Sequence, residues 1–203
     1  MENAVKKEPK SLSDILREQL KGVLDAAAGF LLKLGFTANS LTILGLAGHV
    51  VAAYLLSQGK FTWAGVVLLL MVLADVVDGP MARMQGNVQP FGAFLDSVAD
   101  RYAELVTFGG MLLYFISTDN FLACVLVYLA VIGSLMVSYT RAKAETIGIH
   151  AKNGIMTRLE RYLVLIPALL FNFPVVGVGI IAVLANITAA QRILRTWRDG
   201  RTA

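Results

Sequence analysis

Long apolar runs separated by short polar breaks organise this chain of 203 residues. Six runs, over 38–58, 61–83, 92–117, 120–145, 159–174 and 175–196, reach or approach the roughly 20 residues that a helix needs to cross a bilayer. Lipid offers no partners to backbone N–H and C=O groups, so spans of this kind are predicted to be helices. The fifth, RYLVLIPALLFNF, is short and contains Pro167, which places its start near the membrane interface. Ahead of them, SLSDILREQLKGVLDAAAGFLLKLG (11–35) carries Leu12, Ile15, Leu20, Val23 and Leu24 on one helical stripe. Asp14, Arg17, Glu18, Lys21 and Asp25 lie off that stripe. Such a helix lies in the membrane surface or packs its stripe on the protein itself; the pattern serves both. The expected architecture is an all-α integral membrane protein with six transmembrane helices preceded by an amphipathic interfacial helix. Its parts are a polar tail (1–10), the juxtamembrane helix (11–35) and one six-helix domain (36–198), with no internal repeat.

Composition agrees with this and narrows the chemistry. The chain is 57% hydrophobic and 16% charged, with a mean hydropathy of +0.67, too apolar for a soluble domain. Residues 1–10, MENAVKKEPK, are polar and the stretch after them lacks a small-residue cleavage pattern, so no secretory signal is expected. A lone cysteine, Cys124, excludes an intramolecular disulfide, and without a Cys/His cluster zinc is not expected. His49, in the apolar run LAGHVVAAYLL, reads as a hydrogen-bonded interior residue with no assigned role. Of the 18 Lys and Arg, only Lys60 falls in the candidate outer loops 58–61, 117–120 and 173–176. The basic excess elsewhere marks the cytoplasmic side, which would hold both termini and the 83–91 loop.

Four carboxylates interrupt this apolar background within DVVDGPMARMQGNVQPFGAFLDSVAD (75–100). Asp75 and Asp78 are three apart, and Asp96 and Asp100 four apart, spacings that put each pair on one helix face. Two such pairs facing each other across a turn would form a cage of oxygen ligands suited to Mg²⁺ or Mn²⁺. An ionised group inside a membrane segment costs several kcal/mol unless paired, hydrated or metal-bound. Only Arg83 and Arg101 lie nearby in sequence, so a negative excess remains. The competing explanation is a buried network of acids packed on arginines.

These residues resemble the signature of the CDP-alcohol phosphotransferases (CDP-alcohol phosphatidyltransferases), D-x2-D-G-x2-A-R-x8-G-x3-D-x3-D. Asp75, Asp78, Gly79, Ala82, Arg83, Gly92, Asp96 and Asp100 fill it in order. The resemblance implies six transmembrane helices, often behind a surface helix, usually as a homodimer in a membrane. It further implies a lipid-synthesis enzyme that transfers a phosphatidyl-type group from a CDP-linked lipid donor to an alcohol and releases CMP. By the same resemblance Asp75, Asp78, Asp96 and Asp100 hold one or two divalent ions, Mg²⁺ or Mn²⁺, and Asp100 is the general base for the attacking hydroxyl. Gly79 and Ala82 let the nucleotide approach the helix, and Arg83 pairs with a donor phosphate. Asn39-Ser40-Leu41-Thr42 is similar to the family's Pro-Asn-x-x-Thr opening, with Ala38 for the proline, which adds Asn39 and Thr42 to the nucleotide site. Asn39 or Ser40 would equally serve as an ordinary helix cap. Gln89 occupies a loop position that often touches the nucleotide in relatives.

The acceptor is read from the basic residues. SYTRAKAETIGIHAKNGIMTRLERYLVL (138–165) and the later pair Gln191-Arg192 place cations at the cytoplasmic ends of several helices. They suit an acceptor that itself bears a phosphate; they would also arise from the positive-inside rule alone. The segments are most similar to the branch that makes phosphatidylinositol phosphate, or its archaeal ether-lipid counterpart, from inositol phosphate. Relative to that branch Arg141 and Lys143 are exchanged and Thr157 replaces a glutamate. Arg141, Arg158, Arg161 and Arg192 are the acceptor-phosphate candidates. Glycerol 3-phosphate is the alternative acceptor, and no nucleic-acid partner is expected. A cation or proton-coupled transporter is the alternative from another class, since intramembrane acids also build ion pathways. It predicts inverted repeats or paired broken helices, and the sequence has neither.

Overall fold

The structure, a computed structural model, describes residues 19, 21–85, 90–149 and 154–201. Seven α-helices and no strand occur among them: α1 (Lys21–Lys33), α2 (Ala38–Ser57), α3 (Phe61–Met84), α4 (Pro90–Ser117), α5 (Phe121–Thr146), α6 (Arg158–Leu170) and α7 (Pro174–Asp199). Helices α2 to α7 follow the six apolar runs closely. Four of them, α2, α3, α5 and α7, are long and apolar enough to cross a membrane. The other two depart from the expected six for physical reasons. Helix α4 is 28 residues long but carries Asp96, Asp100, Arg101 and Glu104. Helix α6 has only 13 residues, which at 1.5 Å per residue is roughly 20 Å, short of a hydrocarbon core.

The helices pack as an interlocked bundle: α5 chiefly on α7, α2 on α3 and α4, and α3 also on α6. Leu56, Leu68, Met111, Phe115, Leu169 and Ile181 fill its main core. Small residues let backbones approach where helices cross. A Cβ placed on Gly110 of α4 would lie 2.3 Å from the Ala53 carbonyl oxygen of α2, a contact that backbone cannot relieve cheaply.

Three connecting turns gather at one end of the bundle. The ring of Phe61, at the start of α3, stacks edge-on against Tyr114 near the end of α4, 4.8 Å between centroids. Thr62 Oγ1 donates to the Leu170 carbonyl at the end of α6, 3.4 Å away. From Phe61 to Asp78 the helix climbs about 26 Å, so the carboxylates sit at the opposite end. Their end is where the amino terminus of α2 and the start of α6 also lie.

Helix α1 packs on that end. Ala28 is fully buried in a small cluster with Leu41, Val77 and Met81, and Leu24, Ala27 and Leu31 pack around it. The inward face is therefore Leu24-Ala27-Ala28-Leu31, and Val23, placed on the stripe by the sequence, points outward at 68% exposure. Leu12, Ile15 and Leu20 lie outside the described residues. Of the two readings of this segment, packing on the protein is realised over 21–33.

Candidate active site

Helices α3 and α4 run into the 85–89 connection and supply the acids from either side of it. The nearest carboxylate oxygens of Asp75, Asp78 and Asp96 all lie within 4.8 Å of one another, each residue half-buried. Oxygen donors at that separation fit a hard divalent cation. Asp100 joins them differently from the expected four-acid cage. Its Oδ1 is 2.7 Å from Nη1 of Arg158, and the same nitrogen is 2.7 Å from Asp75 Oδ2. Acids crowded on two helix faces repel one another, and Arg158, entering from the first turn of α6, is the cation within reach. The acidic cluster is thus also an acid–arginine network, so both readings of the sequence meet in it.

An open cleft of about 560 Å³ adjoins the acids. Of the expected nucleotide residues, Asn39, Thr42, Gly79 and Ala82 line it, together with Asp78, Asp96 and Gly92. A Cβ on Gly79 would meet nothing closer than Arg83 Nη1 at 4.0 Å, so the bare helix surface there faces open space. Arg83 itself is exposed beside the cleft, its guanidinium turned toward Gly79. Gln89 lies outside the described residues.

The start of α2 is capped by Thr37, not by Asn39 or Ser40. Ser40 N donates to Thr37 Oγ1 (3.1 Å) while Thr37 N donates to Ser40 Oγ (2.8 Å), a reciprocal box. This arrangement frees the Asn39 side chain, whose Oδ1 sits 3.3 Å from where a Cβ on Gly92 would be. Thr37, Gln85 and Ala93 also line the cleft and were not singled out from sequence; their proximity depends on how the start of α2 packs against the facing ends of α3 and α4.

The four acceptor candidates fall in different surroundings. Arg158 reaches the carboxylates, and its buried Nε has no acceptor among the described residues. Arg141 is exposed near the end of α5 and pairs with Glu145 at 3.0 Å. Arg192 is buried on α7 and donates to the Val137 carbonyl of α5. Arg141 and Arg161 lie close enough to repel it electrostatically. Arg161 is 2% exposed and grips Glu104 through two bonds, Nε to Oε1 at 2.6 Å and Nη2 to Oε2 at 2.9 Å. Its Nη1 donates to the Met156 carbonyl. With its donors occupied in this way, Arg161 ties α6 to α4 below the site. Glu104 was missed in the sequence, although it extends the Asp96-Asp100 ladder by one more turn on the same face.

Fold and site together define a helical membrane protein with a carboxylate cluster fit for a divalent ion, opening on a ligand-sized cleft. The chain belongs to the CDP-alcohol phosphatidyltransferase family, whose profile matches residues 36–193. It is 35% identical over 196 residues to a phosphatidylinositol phosphate synthase of Streptomyces avermitilis, covering 89% of this chain and 80% of that one. It is likewise 35% identical over 179 residues to an archaetidylinositol phosphate synthase of Pyrococcus horikoshii, covering 88% and 93%. Crystal structures of the Mycobacterium tuberculosis phosphatidylinositol phosphate synthase superpose with a TM-score of 0.79 in two forms. The form with CDP-DAG bound is 29% identical and is covered to 94%, against 86% of this chain. The form in complex with manganese and citrate is 30% identical and is covered to 88%, against 86% of this chain.

Proposed function

We propose that this protein transfers a phosphatidyl group from CDP-diacylglycerol, or from CDP-archaeol, to inositol phosphate, with release of CMP and dependence on Mg²⁺ or Mn²⁺. One observation carries the reading: acids fit for a metal lie between a cleft lined by the signature glycines and an arginine entering from α6. The donor's nucleotide would occupy the cleft against Gly79 and Ala82, with Asn39 and Thr42 at its rim and Arg83 on a phosphate oxygen. Gln89 is carried as a further nucleotide contact. Asp75, Asp78, Asp96 and Asp100 would hold one or two ions, which when bound neutralise the donor pyrophosphate and ease departure of the CMP phosphate.

Asp100 takes the proton from the acceptor hydroxyl. The hydroxyl oxygen then bonds to the phosphorus bearing the lipid, and the bond to the CMP oxygen breaks with its electron pair leaving on CMP. Arg158 would hold the acceptor's phosphate, its unpartnered Nε supplying a donor for a second oxygen. Arg141, exposed at the end of α5, and Arg192, buried on α7, add positive charge around it. Arg161, committed to Glu104, contributes to this set by fixing α6.

The same reading places six spans in the membrane, with α4 and α6 among them, and an interfacial α1. The charge of α4 is tolerable because it turns its acids inward to the site and to Arg161. The site and both termini face the cytoplasm, on the distribution of Lys and Arg, and the protein works as a homodimer, as its family resemblance implies. The test offers purified protein CDP-diacylglycerol and Mg²⁺ with inositol phosphate, glycerol 3-phosphate, inositol or serine separately. CMP release with inositol phosphate is expected. Release with glycerol 3-phosphate alone would move the enzyme to the neighbouring branch, and release with none would refute the reading.

A further inference from the structure

His49 and Tyr162 form a connection that the reaction as described does not use. His49, on α2, is 2% exposed, and Tyr162, on α6, is 4% exposed. His49 Nδ1 is 2.8 Å from the Gly45 carbonyl. That oxygen can only accept, so Nδ1 carries the proton and Nε2 is left as an acceptor. Tyr162 donates its hydroxyl to this Nε2 at 2.9 Å. The phenol thereby gains the partner a buried hydroxyl requires, and the two rings meet edge-on at 5.8 Å. One helical turn before Tyr162 stands Arg158, whose guanidinium carbon lies 5.6 Å from the phenol ring centroid. The ring face attracts the cation at that range. Its Nη1 is the atom that bridges Asp75 and Asp100. His49, Asp75, Asp100 and Arg158 border one narrow void between the helices.

We infer that His49 and Tyr162 are positioning residues: the histidine fixes the phenol, and the phenol face aims Arg158 at the place where the acceptor's phosphate binds. This rests on the function proposed above. An arginine side chain has many rotamers, and a guanidinium held by one edge only would sample several of them. Gripped between a ring and two carboxylates, it presents its remaining donors in one direction, so less freedom is lost when an anion binds.

The experiment compares wild type, His49→Leu, Tyr162→Phe and Tyr162→Leu, each alone and with Arg158→Ala. Initial rates of CMP release give KM separately for CDP-diacylglycerol and for inositol phosphate. Binding of inositol phosphate is followed independently by calorimetry. Tyr162→Leu, which removes the ring, is expected to raise the acceptor KM and Kd about tenfold while the donor KM stays within about twofold. Tyr162→Phe keeps the ring and is expected to retain most of the affinity, and His49→Leu to fall between the two. With Arg158→Ala present, none of the three should have a further effect on the acceptor, because the group they aim is gone. Equal losses for donor and acceptor, or full additivity with Arg158→Ala, would overturn the inference and leave a packing role. A wild type that neither binds inositol phosphate nor releases CMP would sink the proposed function first, and this wiring with it. A working wild type with unselective variants sinks the wiring alone.

Discussion

The aspartates divide the work by position. Asp75, Asp78 and Asp96 draw together into a cluster fit for one ion, while Asp100 is 13% exposed and faces the Arg158 guanidinium. If Asp100 is the base, Asp100→Asn loses at least about 10²-fold in CMP release, while far-ultraviolet circular dichroism and cooperative melting persist. Near-normal turnover by that variant would remove the assignment. Gly79 gives a test in which stability and activity move in opposite directions. A methyl group there meets open space, and alanine inside a helix is favoured over glycine by about 0.5–1 kcal/mol. Gly79→Ala should melt slightly later, yet its KM for CDP-diacylglycerol should rise about tenfold, because the methyl occupies room the nucleotide needs. An unchanged KM would mean that the donor lies elsewhere. The signature acids and Gly79 were legible in the chain because their spacing is local, within single helices and one short connection. His49 reads from the sequence as a hydrogen-bonded interior residue, and it is one, but its link to Tyr162 was not legible, nor was the role of Glu104. Each acquires its meaning from a partner more than 50 residues away, joined only when α2, α4 and α6 pack.

At the level of elements, the site depends on how α6 is seated. It is 13 residues long, with Pro167 in its second half, so little intrinsic helix strength holds it in place. The Arg161–Glu104 pair supplies a buried tie to α4, supported by the Arg161 bond to Met156. Breaking one half of such a pair strands a buried charge, at about 3–5 kcal/mol. Glu104→Met or Arg161→Met alone should therefore lower denaturation stability by that order and weaken activity with it. The double variant Glu104→Met/Arg161→Met should recover much of the stability, since two apolar side chains replace two charges. A double variant as unstable as the sum of the singles would show that the pair is not the tie. The bounds of α2 to α7 were legible because lipid enforces continuous apolar runs. Asn39 or Ser40 stood as the alternative cap of α2, and Thr37 was passed over, because Thr37 caps through reciprocal bonding with Ser40. The orientation of α1 was only half legible, since Val23 and Leu24 are equally apolar and only contact with α3 selects Leu24.

Over the whole molecule, two ends of one bundle have different characters. The end formed by the turns at 58–60, 118–120 and 171–173 is tied by ring stacking and a hydroxyl bond. The other gathers the acids, the cleft and the arginines of α5, α6 and α7. The resemblance read from the eight signature residues of α3 and α4, with the matches at 39–42, 138–161 and 191–192, agrees with a family match over 36–193. The measurement that bears most directly on this arrangement is a Mn²⁺ titration of the purified protein followed by electron paramagnetic resonance, repeated for Asp78→Asn and Asp96→Asn. Saturable binding by the wild type, weakened about tenfold or more in either variant, is the predicted result. Variants that bind Mn²⁺ as tightly as the wild type would contradict a shared ion among these carboxylates.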